Sequence, residues 1–357
     1  MYTLEDLLKA MVDKNGSDLH ISAGSPPRIR VDGELKPAGE EVLTPDDTQR
    51  LVYGILDSEQ IAKFEQEWEL DLSFGVSGLG RFRTNVFYQR GAVGSVLRSI
   101  PYKIRTFDDL ALPKPICEKL CKLPRGLVLV TGATGSGKST TLAAMINYIN
   151  EERGGHIITV EDPIEFVHKN KKCLVNQREV GADTKSFHNS LRHILRQDPD
   201  VVLIGEMRDM ETIEAGLRIA ETGHLTFATL HTNDATQTIN RVIDVFPATQ
   251  QTQIRTQLSF VLEAVFCQAL LEKRGGKGRV LSMEIMIAIP AIRSLIRDNK
   301  LHQIYSSIQT GSKIGMITMN QSLYDLFKRG LITFEDALSA SSDPEDLKRV
   351  AAVSGNR

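Results

Sequence analysis

The segment Gly132–Ser139 constrains this chain more than any other part of the sequence. Its residues, Gly-Ala-Thr-Gly-Ser-Gly-Lys-Ser, stand between the apolar run Leu127–Val130 and a stretch of helical composition that begins at Thr140. The glycines allow consecutive backbone N–H groups to turn towards one point, and a helix that starts there adds the positive end of its dipole. The pattern therefore predicts a phosphate-binding loop between a buried strand and a helix.

This phosphate loop predicts that the chain binds a nucleoside triphosphate. In the chemistry of the motif, Lys138 reaches the β- and γ-phosphates and Ser139 is a ligand of Mg²⁺. The residues that we expect to contact the nucleotide are Thr134, Gly135, Ser136, Gly137, Lys138, Ser139 and Thr140.

The composition is that of a folded globular chain of 357 residues, with 41% hydrophobic and 25% charged residues. The net charge of −2 argues against a surface built throughout to hold nucleic acid, although it leaves room for a local basic groove. No apolar run approaches the roughly 20 residues that span a bilayer, and the first residues lack the pattern of a signal peptide. We expect a cytoplasmic protein.

The four cysteines are expected to be buried thiols. Only Cys117 and Cys121 lie close together in the sequence, while Cys173 and Cys267 are far from them. A zinc site would need two further ligands at suitable spacing, and a disulfide does not suit a reducing compartment.

The chain is predicted to hold two domains of the α/β class, joined by a linker. Residues 1–100 predict a small α+β domain, and residues 101–115, with three prolines, predict the linker. In residues 116–357, strands alternate with helices before a helical end, which predicts a parallel-rich sheet covered on both faces.

The elements follow from hydrophobic period and turn residues. In the first domain we predict helices at 4–12, 45–56 and 58–66 and strands at 18–21, 28–31, 70–75, 81–89 and 92–100. In the second we predict strands at 127–131, 157–161, 201–205, 225–230 and 280–289 and, near the end, helices at 291–297, 301–308, 321–328 and 334–341.

Carboxylates follow two of the predicted buried strands. Glu161, Asp162 and Glu165 come after one, and Glu206 comes after Val201–Gly205. Ligands of open α/β sheets gather at such strand ends, and hydrolysis needs groups that position water and help to hold the metal. Glu161 and Asp162 are also interpretable as a helix cap or an ion pair. The second segment resembles a Walker B element in which glycine replaces the usual aspartate, which leaves the metal role to Glu206.

Two histidines, His224 and His231, flank the predicted strand 225–230. Each imidazole then lies near one end of that strand, and one of them is a candidate sensor of the γ-phosphate. A structural role for either histidine is the competing interpretation.

The phosphate loop, the acidic segment Glu161–Glu165, the strand end Gly205–Asp209 and the two histidines occur together and in this order. In this combination the chain resembles the secretion ATPases of the type II and type IV pilus superfamily over essentially its whole length. Ala291–Arg297 resembles the C-terminal signature of the pilus retraction motors, with Ser294 and the following Asp298 as mild departures. The same segment is also interpretable as an amphipathic packing stripe.

The resemblance implies a PAS-like N-terminal domain, a RecA-like P-loop domain and a homohexameric ring that encloses ATP and Mg²⁺ between subunits. It implies that Glu165 is the catalytic glutamate, that Glu206 is the Walker B glutamate and a metal ligand, and that His231 and His224 are the histidine-box residues. Pilus-extension relatives carry a tetracysteine zinc insertion that this sequence lacks. Retraction is therefore favoured over extension.

The same resemblance points to arginines of the N-terminal domain. Arg81 and Arg83 alternate along one predicted strand and therefore share a face, and Arg98 lies on the next strand. Such arginines are candidates to act on the phosphates of a neighbouring subunit. Surface arginines on a solvated face are the alternative.

The implied function is retraction of type IV pili, which underlies twitching motility, by a ring at the inner face of the inner membrane. The implied partners are an inner-membrane platform protein and an accessory paralogous ATPase, without nucleic acid. A RecA-like nucleic-acid motor and a nucleotide-gated scaffold with little turnover are the competing hypotheses. The single tryptophan and the near-neutral charge argue against the nucleic-acid motor.

Overall fold

The structure is a computed structural model that describes residues 2–100, 103–276 and 278–355. The chain forms two compact units, the first made of Met1–Lys103 with Glu165–Val167 and the second of Ile104–Ile164 with His168–Arg357. None of the described helices combines the length and the apolar composition that crossing a membrane requires.

The first unit pairs helices with an antiparallel sheet. Its elements are α1 (Leu4–Asp13), β1 (Asp18–Ile21), β2 (Arg28–Val31), β3 (Glu34–Pro37), α2 (Pro45–Tyr53), α3 (Ser58–Glu67), β4 (Glu69–Val76), β5 (Gly80–Gln89) and β6 (Ala92–Ile100). The strand order is β3-β2-β1-β6-β5-β4. One face of this sheet supplies buried residues such as Leu19, Phe82 and Leu97, which form a core with residues of the three helices.

Capping residues decide where the helices of this unit begin. Thr44 and Asp57 both cap through their side chains, and each is bonded in return by the residue three positions later, Asp47 or Gln60. These reciprocal bonds satisfy backbone N–H groups that the first turn leaves without partners.

The second unit contains a larger sheet between helices. Its elements are α4 (Lys114–Cys121), β7 (Gly126–Thr131), α5 (Lys138–Glu152), β8 (Gly155–Glu161), β9 (Cys173–Glu179), α6 (Phe187–Ile194), β10 (Val201–Ile204), α7 (Met210–Glu221), β11 (Leu225–Leu230), α8 (Ala235–Asp244), α9 (Ala248–Val261), β12 (Leu262–Glu272), β13 (Arg279–Ile287), α10 (Pro290–Arg297), α11 (Ile304–Thr310), α12 (Met319–Lys328), α13 (Phe334–Ala340) and α14 (Pro344–Gly355). Short 3₁₀ turns precede α11 and α12.

The sheet of the second unit has the order β13-β12-β7-β11-β10-β8-β9. Every neighbouring pair is parallel except β12 with β13. All residues of β7, β10 and β11 are buried, because helices cover both faces of a parallel sheet. The α/β class with a parallel-rich sheet and C-terminal helices is confirmed.

Most predicted elements are present, with ends that shift by one to three residues. The strand at 280–289 ends earlier, at Ile287, and the sequence pattern does not predict β3, β9, β12 or α14. Pro101 and Tyr102 of the predicted linker lie outside the described residues, and α4 begins at Lys114. All four cysteines are buried, as expected.

Helix α10 carries the segment that resembles the retraction signature, and the structure supports its packing interpretation in part. Ile292 and Ile296 are fully buried, Leu295 is half-buried and Ala291 is exposed. Arg293 donates to the backbone oxygens of Ser259 and Phe260 at 2.9 and 3.0 Å, near the C-terminus of α9. This arginine therefore caps α9 and fixes α10 against it.

The segment after Glu165–Val167 is tied to α5 by a single buried side chain. Asn150 donates from Nδ2 to the oxygen of Lys169 at 2.7 Å, and its Oδ1 accepts from the N–H groups of Lys171 and Cys173 at 3.1 and 3.2 Å. Asn150 is fully buried. One amide thus satisfies three backbone groups where β9 begins.

We predict that Asn150→Ala lowers the free energy of unfolding by about 2 kcal/mol, because buried backbone groups then lose their partner. Asn147→Ala on the same helix is the matched control, since its contacts to Glu151 and Lys171 are exposed. Urea unfolding of both variants measures the difference. Equal small losses would contradict the role of Asn150.

Candidate nucleotide site

The phosphate loop connects β7 to α5, as the sequence predicts. β7 ends at Thr131 and α5 begins at Lys138, with Gly137 as its N-cap at φ +93°. Glycine has no side chain that could bond the first N–H groups of the helix, so these groups face the loop together with the positive end of the helix dipole. This arrangement is an anion site.

Lys138 is buried at the start of α5. Its Nζ donates to the backbone oxygens of Gly132 and Ala133 at 2.8 and 3.0 Å. The ammonium group is therefore held inside the loop by neutral carbonyls, which a phosphate oxygen outcompetes because it brings a full negative charge opposite the ammonium.

Buried oxygens without a hydrogen-bond partner in the described part of the chain gather at this loop. They are Oγ1 of Thr131, Oγ of Ser136 and Oε1 of Gln268. Gln268 on β12 also donates to Oγ1 of Thr141 at 2.7 Å. Since buried polar atoms in proteins are normally paired, these oxygens fit a site that a polar ligand and its waters complete.

Gly132 is required by close approach as well as by conformation. Its φ is +139°, and a Cβ there would lie 2.3 Å from the backbone oxygen of Gln268 and 2.6 Å from Oγ of Ser136. Gly135, at φ +80°, has open space around the same position. The loop therefore has room for a side chain at Gly135 but not at Gly132.

Three strands end at the same edge of the sheet. Leu230 pairs with Thr131, and Ala228 pairs with Ile204. His231 and Gly132 therefore leave adjacent parallel strands side by side, and Glu206 follows the end of β10. We call this side the C-terminal edge. It gathers the phosphate loop, His231 and Glu206, which separate sequence patterns predict as site residues.

Glu206 holds two partners with one oxygen. Its Oε1 lies 2.6 Å from Nε of Arg208 and 2.9 Å from Nε2 of His231. Burial raises the pKa of the Glu206 carboxyl, but the hydrogen bond from Arg208 and the proximity of His231 outweigh it, so the pKa lies below the ordinary value. The carboxylate is ionised at neutral pH and is available to a cation.

The structure explains why glycine occupies position 205. A Cβ on Gly205 would lie 3.1 Å from Cα of Glu161 and 3.2 Å from the oxygen of Val160 on the neighbouring strand β8. The backbone is locked there, because Gly205 donates to Val160 and its own oxygen accepts from Oγ1 of Thr229 at 2.5 Å. An aspartate at this position would meet the backbone of β8.

His224 lies at the opposite edge of the sheet from the phosphate loop. It directly precedes β11, and its oxygen accepts from the N–H of Gly126 at the start of β7. Its Nδ1 is 3.1 Å from the oxygen of Ile219. The structure therefore brings His231, but not His224, to the loop of the same chain, and the catalytic role of His224 stays a prediction.

The carboxylates of the acidic segment after β8 lie in different environments. Oε1 of Glu161 accepts from Oγ1 of Thr159 at 2.6 Å and from Nε2 of Gln177 at 3.1 Å. Those bonds favour the structural interpretation of Glu161. Asp162 and Glu165 are exposed, and Glu165 belongs to the short stretch that groups with the first unit. The catalytic role of Glu165 stays a prediction.

The arginines of the first unit lie in a row across its sheet. Arg83 pairs directly with Arg98, Arg98 with Asp18, and Asp18 with Arg30, so all four side chains share one face. Arg81 shares that face, two residues before Arg83 on β5. The buried Asp18 accepts from Nε of Arg98 at 2.7 Å, while Arg98 is largely exposed. This arginine row is a basic surface organised around one carboxylate.

Comparison with known proteins decides the family. The model of the type II/IV secretion system protein family matches residues 96–337, which include the phosphate loop and the C-terminal edge. The chain belongs to this family. Its membership supports ATPase activity.

Within this family, the chain is 50% identical over 343 residues to the type IV pilus retraction ATPase PilT of Pseudomonas aeruginosa, covering 96% of this chain and 99% of that protein. It is 44% identical over 344 residues to the type IV pilus ATPase PilU of the same organism, covering 96% and 90%. A crystal structure of the pilus retraction motor PilT with bound ADP superposes with a TM-score of 0.91, at 54% identity, covering 98% of this chain and all of that one.

Two residues of the site were not selected from the sequence. Arg208 had no assigned role, although it is part of the strand-end motif, because its contact with Glu206 depends on the turn after β10. Gln268 lies on β12, a strand that the sequence pattern does not predict. Only the pairing of β12 with β7 brings it to the loop.

We predict that Gly132→Ala weakens ATP binding more than tenfold or prevents folding, because the new Cβ meets a backbone oxygen that cannot move alone. Gly135→Ala is the control, with a backbone strain of about 1–2 kcal/mol and no clash. Nucleotide titration and a thermal melt of each variant make the comparison. Similar effects of both substitutions would contradict the close approach at Gly132.

We predict that Asp18→Asn lowers the free energy of unfolding by about 1 kcal/mol at pH 7. Burial raises the pKa of Asp18, but bonds from Ser17 and Arg98 outweigh it, so the folded-state pKa lies below the ordinary value. The stabilisation is present above about pH 4 and disappears as the pH falls through the folded-state pKa. Urea unfolding at pH 7 and pH 3 measures the gap between wild type and variant.

The control for this experiment is Glu34→Gln, which alters an exposed ion pair with Lys36. Exposed pairs of this kind contribute little to stability. A gap for Asp18→Asn that stays constant between the two pH values would show that its carboxylate charge has no part in the effect.

Proposed function

We propose that this chain is the ATP-hydrolysing subunit of the motor that retracts type IV pili. The observation that carries the proposal is the C-terminal edge, where the phosphate loop, His231 and Glu206 leave adjacent strands. The similarity to PilT over almost the full length of both chains gives that edge its cellular task. Pilus retraction is the activity of that relative, and we extend it to this chain.

The chain's own residues supply nucleotide binding. The N–H groups of the loop and of the first turn of α5 bind the phosphates, and Lys138 exchanges its loop carbonyls for the β- and γ-phosphate oxygens. Mg²⁺ usually takes only one or two oxygens from a protein, and the hydroxyl of Ser139 with the ionised Glu206 fits that requirement. When bound, the ion neutralises charge on the β- and γ-phosphates.

Hydrolysis requires a group that orients and deprotonates water, and we assign that role to Glu165. His231, held on Glu206, is the candidate sensor of the γ-phosphate at the C-terminal edge. Arg81, Arg83 and Arg98 are the candidates to act on the nucleotide of a neighbouring subunit, because a phosphoryl-transfer site gains 10³–10⁵ in rate from such an arginine. Turnover would then depend on assembly.

We infer that the working form is a homohexameric ring of two-domain subunits, PAS-like at the N-terminus and RecA-like at the C-terminus. It would act peripherally at the cytoplasmic side of the inner membrane, on a platform protein of the pilus base, and power twitching motility. The similarity to both PilT and PilU suggests an accessory paralogue as a further partner. Helix α10, fixed on α9 by Arg293, is the candidate coupling surface.

We predict that Lys138→Ala abolishes ATP binding, whereas Glu165→Gln binds ATP normally and hydrolyses it at least a hundredfold more slowly. Glu214→Gln on α7 is the matched control, because its side chain is exposed and remote in sequence from every predicted site residue. Calorimetric titration with Mg·ATP and phosphate release measure the two properties. Equal loss of binding in Lys138→Ala and Glu165→Gln would contradict the separate roles.

Two further experiments test the action across subunits and distinguish the proposed function from a nucleic-acid motor and from a scaffold. Rings mixed from Arg81→Ala and Glu165→Gln subunits should regain part of the activity if the arginines act across subunits, and no recovery counts against that action. Double-stranded DNA should leave the ATPase rate unchanged. Strong stimulation by DNA would favour a nucleic-acid motor, and binding without turnover would favour a scaffold.

A further inference from the structure

A buried carboxylate behind the C-terminal edge has no part in the chemistry described so far. Glu284 lies on β13 with only 2% of its surface exposed. Its Oε1 accepts from the backbone N–H of Ala235 at 2.8 Å. Burying an isolated carboxylate costs free energy. The groups that Glu284 binds should therefore explain why a carboxylate occupies this position.

The group that Glu284 holds is the start of α8. Ala235 is the first residue of that helix, and Asp234 is its N-cap, with Oδ1 accepting from the N–H of Gln237 at 2.7 Å. We call residues 231–235 the His231 segment. It runs from the imidazole that contacts Glu206 to the N–H that Glu284 accepts. Only three residues therefore lie between His231, the candidate phosphate sensor, and Ala235, whose N–H is held by the buried Glu284.

On its other side, Glu284 faces a cavity of about 160 Å³. Asp234, Tyr305 and Asp343 also line it, and the lining residues in the described chain include no Lys, Arg or His. The hydroxyl of Tyr305 donates to Asp346, which also accepts from Nδ2 of Asn320 at 2.8 Å. The cavity thus offers Glu284 polar surroundings without a compensating cation.

These neighbours determine the charge of Glu284. Burial raises the pKa of its carboxyl to about 7, and the carboxylate of Asp234 adds to that rise, while the backbone N–H groups of Ala235 and of Met319 at the start of α12 oppose it. The thiol of Cys267, directly opposite on β12, has a pKa far above its ordinary value, because it is fully buried. Burial and the neighbouring Asp346 also raise the pKa of the Tyr305 hydroxyl. Glu284 is the group of this cluster that changes charge near neutral pH.

We propose that Glu284 is a positioning residue for ATP turnover, which holds the first N–H of α8 and, through the His231 segment, keeps the His231 ring against Glu206. The proposal rests on the function proposed above, since it concerns the same site. An ionised acceptor binds an N–H more strongly than a neutral one and also favours the positive end of α8. The ionised form of Glu284 therefore holds the segment in place.

Two opposite consequences follow for the pH dependence. Turnover should rise as Glu284 ionises, while ATP affinity should not change, because the phosphate loop is held by other residues. The stability of the fold, in contrast, should fall as Glu284 ionises. A folded-state pKa of about 7 lies above the unfolded value near 4.5, so the stabilisation by this group is complete below about pH 4.5 and is lost as the pH rises through 7.

The test compares wild type with Glu284→Gln, which keeps an acceptor for Ala235 but cannot ionise. We measure kcat and KM of the full chain between pH 6 and pH 8 by varying Mg·ATP from below KM to saturation. The ratio of wild-type kcat to variant kcat should rise about tenfold over this interval, since the ionised fraction rises from roughly one tenth to nine tenths. KM should stay unchanged. Taking the ratio cancels every other group that titrates in both proteins.

Two variants make the result specific. Glu272→Gln, at the exposed end of the neighbouring strand β12, should give a ratio to wild type that does not vary with pH. Asp234→Asn keeps a good N-cap but removes the carboxylate that raises the pKa of Glu284, so the midpoint of the pH profile should move to lower pH. This second variant tests the idea even if Glu284→Gln fails to fold.

Thermal melts supply a readout that a purely structural role would not produce. At pH 8, Glu284→Gln should melt at a higher temperature than wild type while turning over more slowly. A flat ratio of kcat values from pH 6 to pH 8, or an unmoved midpoint in Asp234→Asn, would overturn the proposal. If wild type itself fails to hydrolyse ATP, the proposed function fails instead, and the two failures are distinguishable.

Discussion

The parallel alignment of β7, β11 and β10 is the constraint on which the site depends. Parallel strands send their C-terminal ends to one edge, and the pairing of Leu230 with Thr131 sets the phosphate loop beside His231. Glu206 reaches the same edge from β10 and fixes the imidazole at 2.9 Å. A shift of one residue in either pairing would turn these side chains to the other face. The buried strands thus determine the chemistry through their register.

Much of this arrangement was predictable from local patterns. The strand, glycine-rich loop and helix around Lys138 were correct, because each of the three has its own signal. Strand β12 was missed because it begins at Leu262 directly after α9 ends at Val261, with no turn residue between them. The edge strand β3 was missed because all of its residues are exposed and show no alternation. Such elements are specified by tertiary pairing, which a local pattern does not reveal.

The site residues also fall into those with a local sequence signal and those that only tertiary pairing brings to the site. The sequence selected Glu206 and His231 because each follows a buried strand, and the structure joins them. It could not separate His224 from His231, since both flank the same strand, and only the direction of β11 relative to the loop assigns them to opposite edges. Gln268 and Glu284 are polar residues inside strands, and their contacts arise from pairing across β7, β12 and β13.

The central claim is that one nucleotide binds at each C-terminal edge and is hydrolysed there. Calorimetric titration of the wild-type chain with Mg·ATP, with phosphate release followed on the same sample, tests it most directly. The account predicts saturable heat with one binding site per chain and continuous phosphate release. Folded protein that gives no heat of binding would contradict it.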